Sequence, residues 1–87
     1  MKMHQLRYLL TIVQSGLNIT AASRALHTSQ PGISKQIRLL EEDVGYQTFE
    51  REGRTITPVT TAGKAVAEHA TRLMEEAENI RRLSADF

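Results

Sequence analysis

Apolar residues follow a helical period over most of this chain, with one interruption. Leu6, Leu9, Leu10, Val13 and, just past the end, Leu17 trace one face of a helix over about His4–Ser15. Gly16 suits the left-handed cap after its last turn. Tyr8 and Ile12 fall on a different face, and a second apolar stripe implies a contact beyond the helix's own core. Asn18 is a good N-cap for a second helix, with Ile19, Ala22 and Leu26 facing inward. His27-Thr28 reads as a turn. Ser29 caps a third helix that tolerates Pro31 in its first turn, buries Ile33, Ile37, Leu40 and Val44, and stops at Gly45.

The helical period lapses between Tyr46 and Val59, where Phe49, Ile56 and Val59 are the apolar anchors. Two β-leaning pieces flank Glu50–Arg54, which reads as a turn, and Pro58 confines the second piece to an edge. Thr60 then caps a last helix reaching about Ser84, on the order of 40 Å long at 1.5 Å per residue. Val66, Ala70, Leu73, Ala77 and Ile80 recur every four, three, four and three residues, a heptad seam widened by Met74 and Leu83. So long a stripe exceeds what an 87-residue core can cover, which predicts a dimerisation helix. The expected fold is mainly α: a winged helix-turn-helix of three helices and a two-stranded wing, followed by a long linker helix. Residues 1–59 form the winged domain, with the helix-turn-helix at about 18–45 and the wing at about 48–58, and residues 60–87 form the linker helix.

Charge sharpens this picture. The net charge is only +1, yet residues 1–40 hold five bases (Lys2, Arg7, Arg24, Lys35, Arg38) and no acid. Residues 65–87 hold three bases and five acids. One end is therefore suited to an anionic partner. No cysteine is present, so disulfides and thiolate metal sites are excluded. No segment is apolar enough to span a bilayer, and the N-terminus lacks a signal-peptide pattern, so a cytoplasmic location and no membrane partner are expected. His4, His27 and His69 are too scattered for a local metal motif, and the glycines suit caps and turns. Glu75, Glu76 and Glu78 lie on a solvated helix face. No catalytic residue, metal site or cofactor follows, and the chain does not read as an enzyme.

Placing Ile33, Ile37 and Leu40 inward turns Pro31, Lys35, Arg38 and Glu42 outward, with Ser34 beside them and Gln30 at the tip. Glutamine can pair with adenine N6 and N7, lysine can reach guanine O6 or N7, and Pro31 can touch a thymine methyl. Gln30, Pro31, Ser34, Lys35 and Arg38 are thus the candidates for base contact in double-stranded DNA. Thr28 and Ser29, with the free amides of the helix start, can hold phosphate. Acids begin only at Glu41, where a helix inserted N-terminus first is leaving the groove. Arg51 and Arg54 beside Gly53 suit a minor groove or phosphate, against Glu50 and Glu52. A coiled-coil module with a protein-binding head, or a small self-sufficient winged-helix repressor, are the alternatives.

The run Ala21–Arg54 followed by Val59-Thr60-Thr61-Ala62-Gly63 resembles the N-terminal domain of LysR-type transcriptional regulators. Shared features are Ala22 to Leu26, Ser29-Gln30-Pro31, Ile37, Leu40-Glu41, Gly45, Phe49, Arg51-x-x-Arg54 and Thr60-x-Ala62-Gly63. Within that family, Gln5–Tyr8, Asn18 and Thr28–Gln36 resemble the CysB-like, cysteine-regulon subgroup. Gly32 is notable, because many family members carry Ala or Pro there. The wing departs from that subgroup at Glu50 and Glu52. The resemblance implies regulation of sulfate assimilation and cysteine synthesis. It also implies a separate effector domain absent from this chain, which in full-length relatives binds acetylserine derivatives. It implies a homodimer through the linker helix, tetrameric at full length, with RNA polymerase as a further partner. Tyr8 and Ile12 would then pack on the linker helix across the dimer, so the expected interface comprises Tyr8, Ile12, Val66, Ala70, Leu73, Ala77 and Ile80.

Overall fold

Side-chain caps mark the start of three of the four helices. Asn18 Oδ1 accepts from the Ala21 amide at 3.0 Å, Ser29 Oγ from Gly32 at 3.1 Å, and Thr60 Oγ1 from Gly63 at 2.9 Å. Each satisfies an amide that the first helical turn leaves unpaired. The computed structural model describes residues 1–52 and 55–87, without the side chains of residues 51, 52 and 55–57. Its elements are α1 (Met3–Gln14), α2 (Ile19–Leu26), α3 (Gln30–Val44), β1 (Phe49–Glu52), β2 (Thr55–Val59) and α4 (Thr61–Arg82), closed by a 3-10 turn at Leu83–Ala85.

Helix ends follow backbone chemistry. Gly16 (φ 67°) and Leu17 (φ 65°) both take the left-handed conformation between α1 and α2, and Gly45 (φ 88°) takes it after α3. His27 (φ 51°) does so between α2 and α3; its amide donates to the Arg24 carbonyl, and the Thr28 amide donates to that of Ser23. Glycine adopts this region freely, whereas Leu17 and His27 adopt it at a cost that the tight connections impose.

The strands correct one expectation. Glu50–Arg54 is not all turn: β1 continues through Glu52 and is paired, with Phe49 opposite Val59, Arg51 opposite Ile56 and Glu52 opposite Thr55. Between the first two pairs β1 advances two residues and β2 three. The extra residue falls in the Thr57-Pro58 stretch, where proline has no N–H to give to a regular ladder.

Leu6, Leu9, Leu10, Ile12, Ala22, Ile33, Ile37, Leu40, Phe49 and Ala70 form one buried core drawn from α1, α2, α3, the wing base and α4. Fully burying an aliphatic side chain contributes about 1.5–3 kcal/mol, so Ile33, Ile37 and Leu40 hold α3 firmly in place. Two further contacts fix the wing base. Glu41 is buried, and its Oε2 accepts from the Thr48 amide (2.6 Å), the Thr48 hydroxyl (3.0 Å) and the Phe49 amide (3.3 Å). Gly63 lies so close to Thr48 that a Cβ there would collide with the Thr48 carbonyl oxygen.

Candidate nucleic-acid interface

With its apolar stripe in the core, α3 turns Gln30, Pro31, Lys35 and Arg38 to solvent and leaves Ser34 half-buried beside them. All five sequence-derived base-contact candidates therefore share one accessible face. Arg38 lies farthest along it, in a groove with Glu42, Tyr46 and Gln47 at the approach to the wing. No acid stands on the N-terminal half of this face, so its field favours a polyanion.

The turn before α3 is built for fixed placement. Thr28 Oγ1 donates to the Leu26 carbonyl at 3.1 Å and lies 3.3 Å from the Tyr8 hydroxyl. Ser29 is exposed and its oxygen caps Gly32. A Cβ on Gly32 would stand 3.0 Å from Ser29 Oγ and 3.1 Å from Thr28 Cγ2, so glycine leaves room for both side chains. The expected set of free amides at this helix start is narrower than the sequence suggested. Proline has none, the Gly32 amide is held by Ser29, and that of Ile33 bonds the Ser29 carbonyl. Within the first turn of α3 this leaves the Gln30 amide for phosphate.

A polar network unforeseen from the sequence clamps α1 to α3. Gln36 Oε1 accepts from Gln5 Nε2 at 3.2 Å and lies 3.1 Å from His4 Nε2. Gln5 is itself buried, and its Oε1 accepts from the Lys2 amide at 3.0 Å. The His4 ring meets Tyr8 edge-on at 5.6 Å. Tyr8 is half-buried, and its polar and ring partners within the chain are Thr28 and His4. The long sequence separations of Gln5–Gln36 and Tyr8–Thr28 hide both contacts from any local pattern.

The wing arginines fall partly outside the described residues. Arg51 sits on β1 by its backbone, while its side chain and all of Arg54 lie beyond what is described.

The heptad seam divides. Ala70 is fully buried, and Val66 and Met74 pack against the same core, because α4 lies on α1 within the chain. Ile12 is likewise fully buried. Ala70 and Ile12 therefore have no surface to offer a second copy, and their expected place in a dimer interface is corrected to the monomer core. Ala77 lines a groove of about 250 Å³ between α1 and α4, with Arg7, Leu10, Met74 and Arg81 among its walls. Leu73, Ile80 and Leu83 remain 45%, 68% and 49% exposed. Among the described residues no His, Asp and Glu group could hold a metal ion, and no helix is long and apolar enough to cross a membrane.

Comparison with known proteins agrees with this geometry. Residues 3–64 match the family model described as the bacterial regulatory helix-turn-helix protein, lysR family. The HTH-type transcriptional regulator CysB of Haemophilus influenzae is 51% identical over all 87 residues. The HTH-type transcriptional regulator SsuR of Burkholderia cenocepacia is 40% identical over the same length. The chain spans 27% and 28% of the lengths of these two curated relatives. Among solved structures, the DNA-binding domain of CbnR in complex with DNA matches with a TM-score of 0.86 and 38% identity, covering 99% of this chain and 97% of that one.

Proposed function

This chain belongs to the lysR family of bacterial regulatory helix-turn-helix proteins, and from that premise we propose that α3 is its recognition helix, reading operator DNA from the major groove. One observation carries the reading: the exposed, acid-free N-terminal half of α3, presented on a buried apolar stripe. Gln30, Pro31, Ser34, Lys35 and Arg38 face the base edges. Thr28, Ser29 and the Gln30 amide lie where phosphates pass. Arg51 and Arg54 in the wing take a minor groove or backbone position. The match to a DNA-bound CbnR domain over nearly its whole length supports this placement.

In this reading the chain acts as a dimer joined along the solvent-facing part of α4. Leu73, Ala77 and Ile80 form the seam, Val66 stands at its edge, and Tyr8 stays with the recognition turn. Residues 1–59 serve DNA and residues 60–87 serve assembly. Effector response, RNA polymerase contact and any tetramer are proposed for a regulator of the relatives' full length, of which this chain spans 27–28%.

The regulated genes are proposed to be those of sulfate assimilation and cysteine synthesis, on the strength of the 51% identity to CysB. Titration of a DNA duplex at rising salt tests the core of the reading. Affinity should fall linearly with salt on a double-logarithmic plot, since phosphate neutralisation releases counterions. A salt-independent affinity would contradict it. Enriched sites that fall upstream of cysteine-synthesis genes would support the narrower assignment, and enrichment elsewhere would remove it.

A further inference from the structure

We propose that Thr20, on α2, is a positioning residue that makes Gln30 read adenine and reject guanine; this rests on the reading of α3 as the base-contacting helix. Gln30 Nε2 donates to Thr20 Oγ1 at 3.1 Å, across ten residues and between two helices. Both residues are exposed, so the contact is not a by-product of core packing. Thr20 is itself well placed. It follows the Asn18 cap by two residues, and its carbonyl accepts from Ser23 Oγ at 3.0 Å.

The consequence lies in the donor inventory of a carboxamide, which has two N–H groups and one carbonyl oxygen. With one N–H held by Thr20, Gln30 presents one N–H and Oε1 to a ligand. The major-groove edge of adenine offers an acceptor at N7 and a donor at N6, which matches. Guanine offers acceptors at N7 and O6. It calls for two N–H groups, one of which is engaged, and it sets O6 against Oε1. A Gln30 turned over, with Oε1 on the Thr20 hydroxyl, would present both N–H groups and favour guanine. The orientation at Thr20 therefore decides which purine is read. Holding the side chain before binding also lowers the ordering cost of contact.

The test uses the 87-residue chain and a duplex enriched by it from random DNA. Duplexes with each A·T pair changed to G·C are compared at fixed salt. The position read by Gln30 is the one where Gln30→Ala loses discrimination. Thr20→Val should keep the thermal melt and lose about tenfold in affinity for the enriched duplex, the scale of one bidentate base contact. It should also lose the adenine preference at that position. Thr20→Ser should behave as wild type, and Thr20→Val should cost nothing further on the Gln30→Ala background. A guanine preference at that position would overturn the proposal. So would a Thr20→Val loss that is equal on every duplex and persists without Gln30, which would make Thr20 a phosphate contact or a purely structural residue. Failure of the wild-type chain to enrich any sequence would instead remove the reading of α3 itself.

Discussion

Single side chains in this domain divide into those proposed to face DNA and those that hold that surface in place. Gln30→Ala and Lys35→Ala are each expected to weaken binding to an enriched site by about 1–3 kcal/mol, with little change on random duplex. Equal losses on both would reassign these side chains to phosphate. Glu41→Ala is expected to lower stability by about 1–3 kcal/mol in urea unfolding, because it strands the buried Thr48 and Phe49 donors. An unchanged midpoint would show that water replaces the carboxylate. The exposed residues of α3 were legible in the sequence, since helical geometry alone turns them away from Ile33, Ile37 and Leu40. Glu41 was not. In the sequence it is the first of three consecutive acids, and only the fold shows that it is buried while Glu42 and Asp43 are exposed. Gly63 was legible as part of a family pattern, but its reason, the close approach to Thr48, is tertiary.

Among the elements, α4 shows where periodicity ends as a guide. The heptad pattern marks the apolar face correctly, yet cannot say what covers each part. Folding lays α1 across it, so Ala70 and Ile12 enter the monomer core while Leu73 and Ile80 stay at the surface. Two substitutions separate these roles. Ile12→Ala is expected to cost about 2–5 kcal/mol of folding stability by opening a core cavity. Leu73→Asp is expected to leave the helical circular-dichroism signal intact and shift sedimentation from dimer to monomer. A folded Leu73→Asp chain that still sediments as a dimer would place the interface elsewhere. The wing shows the converse limit. Its existence was readable from Phe49, Gly53 and Val59, but Glu50–Glu52 looked like turn and pair as strand. A charged strand of a two-stranded sheet lacks the apolar alternation that marks half-buried strands.

At the scale of the whole molecule, charge and shape divide the labour. The domain measures 50 × 26 × 20 Å. Its first forty residues carry five bases and no acid, and its last twenty-three carry an excess of acid. The basic part includes α3, the proposed recognition helix, and the acidic part extends α4 beyond the core, where Ile80 is 68% exposed. Two such molecules joined along α4 would present two recognition helices to one duplex, so specific affinity should depend on dimerisation as well as on α3. Selection of bound duplexes from random DNA tests this account most directly. The wild-type chain should enrich two copies of one half-site at fixed spacing. Gln30→Ala and Lys35→Ala should each blur one position within both copies. Enrichment of no sequence, or of the same sharp motif by the variants, would contradict the claim that α3 reads the DNA.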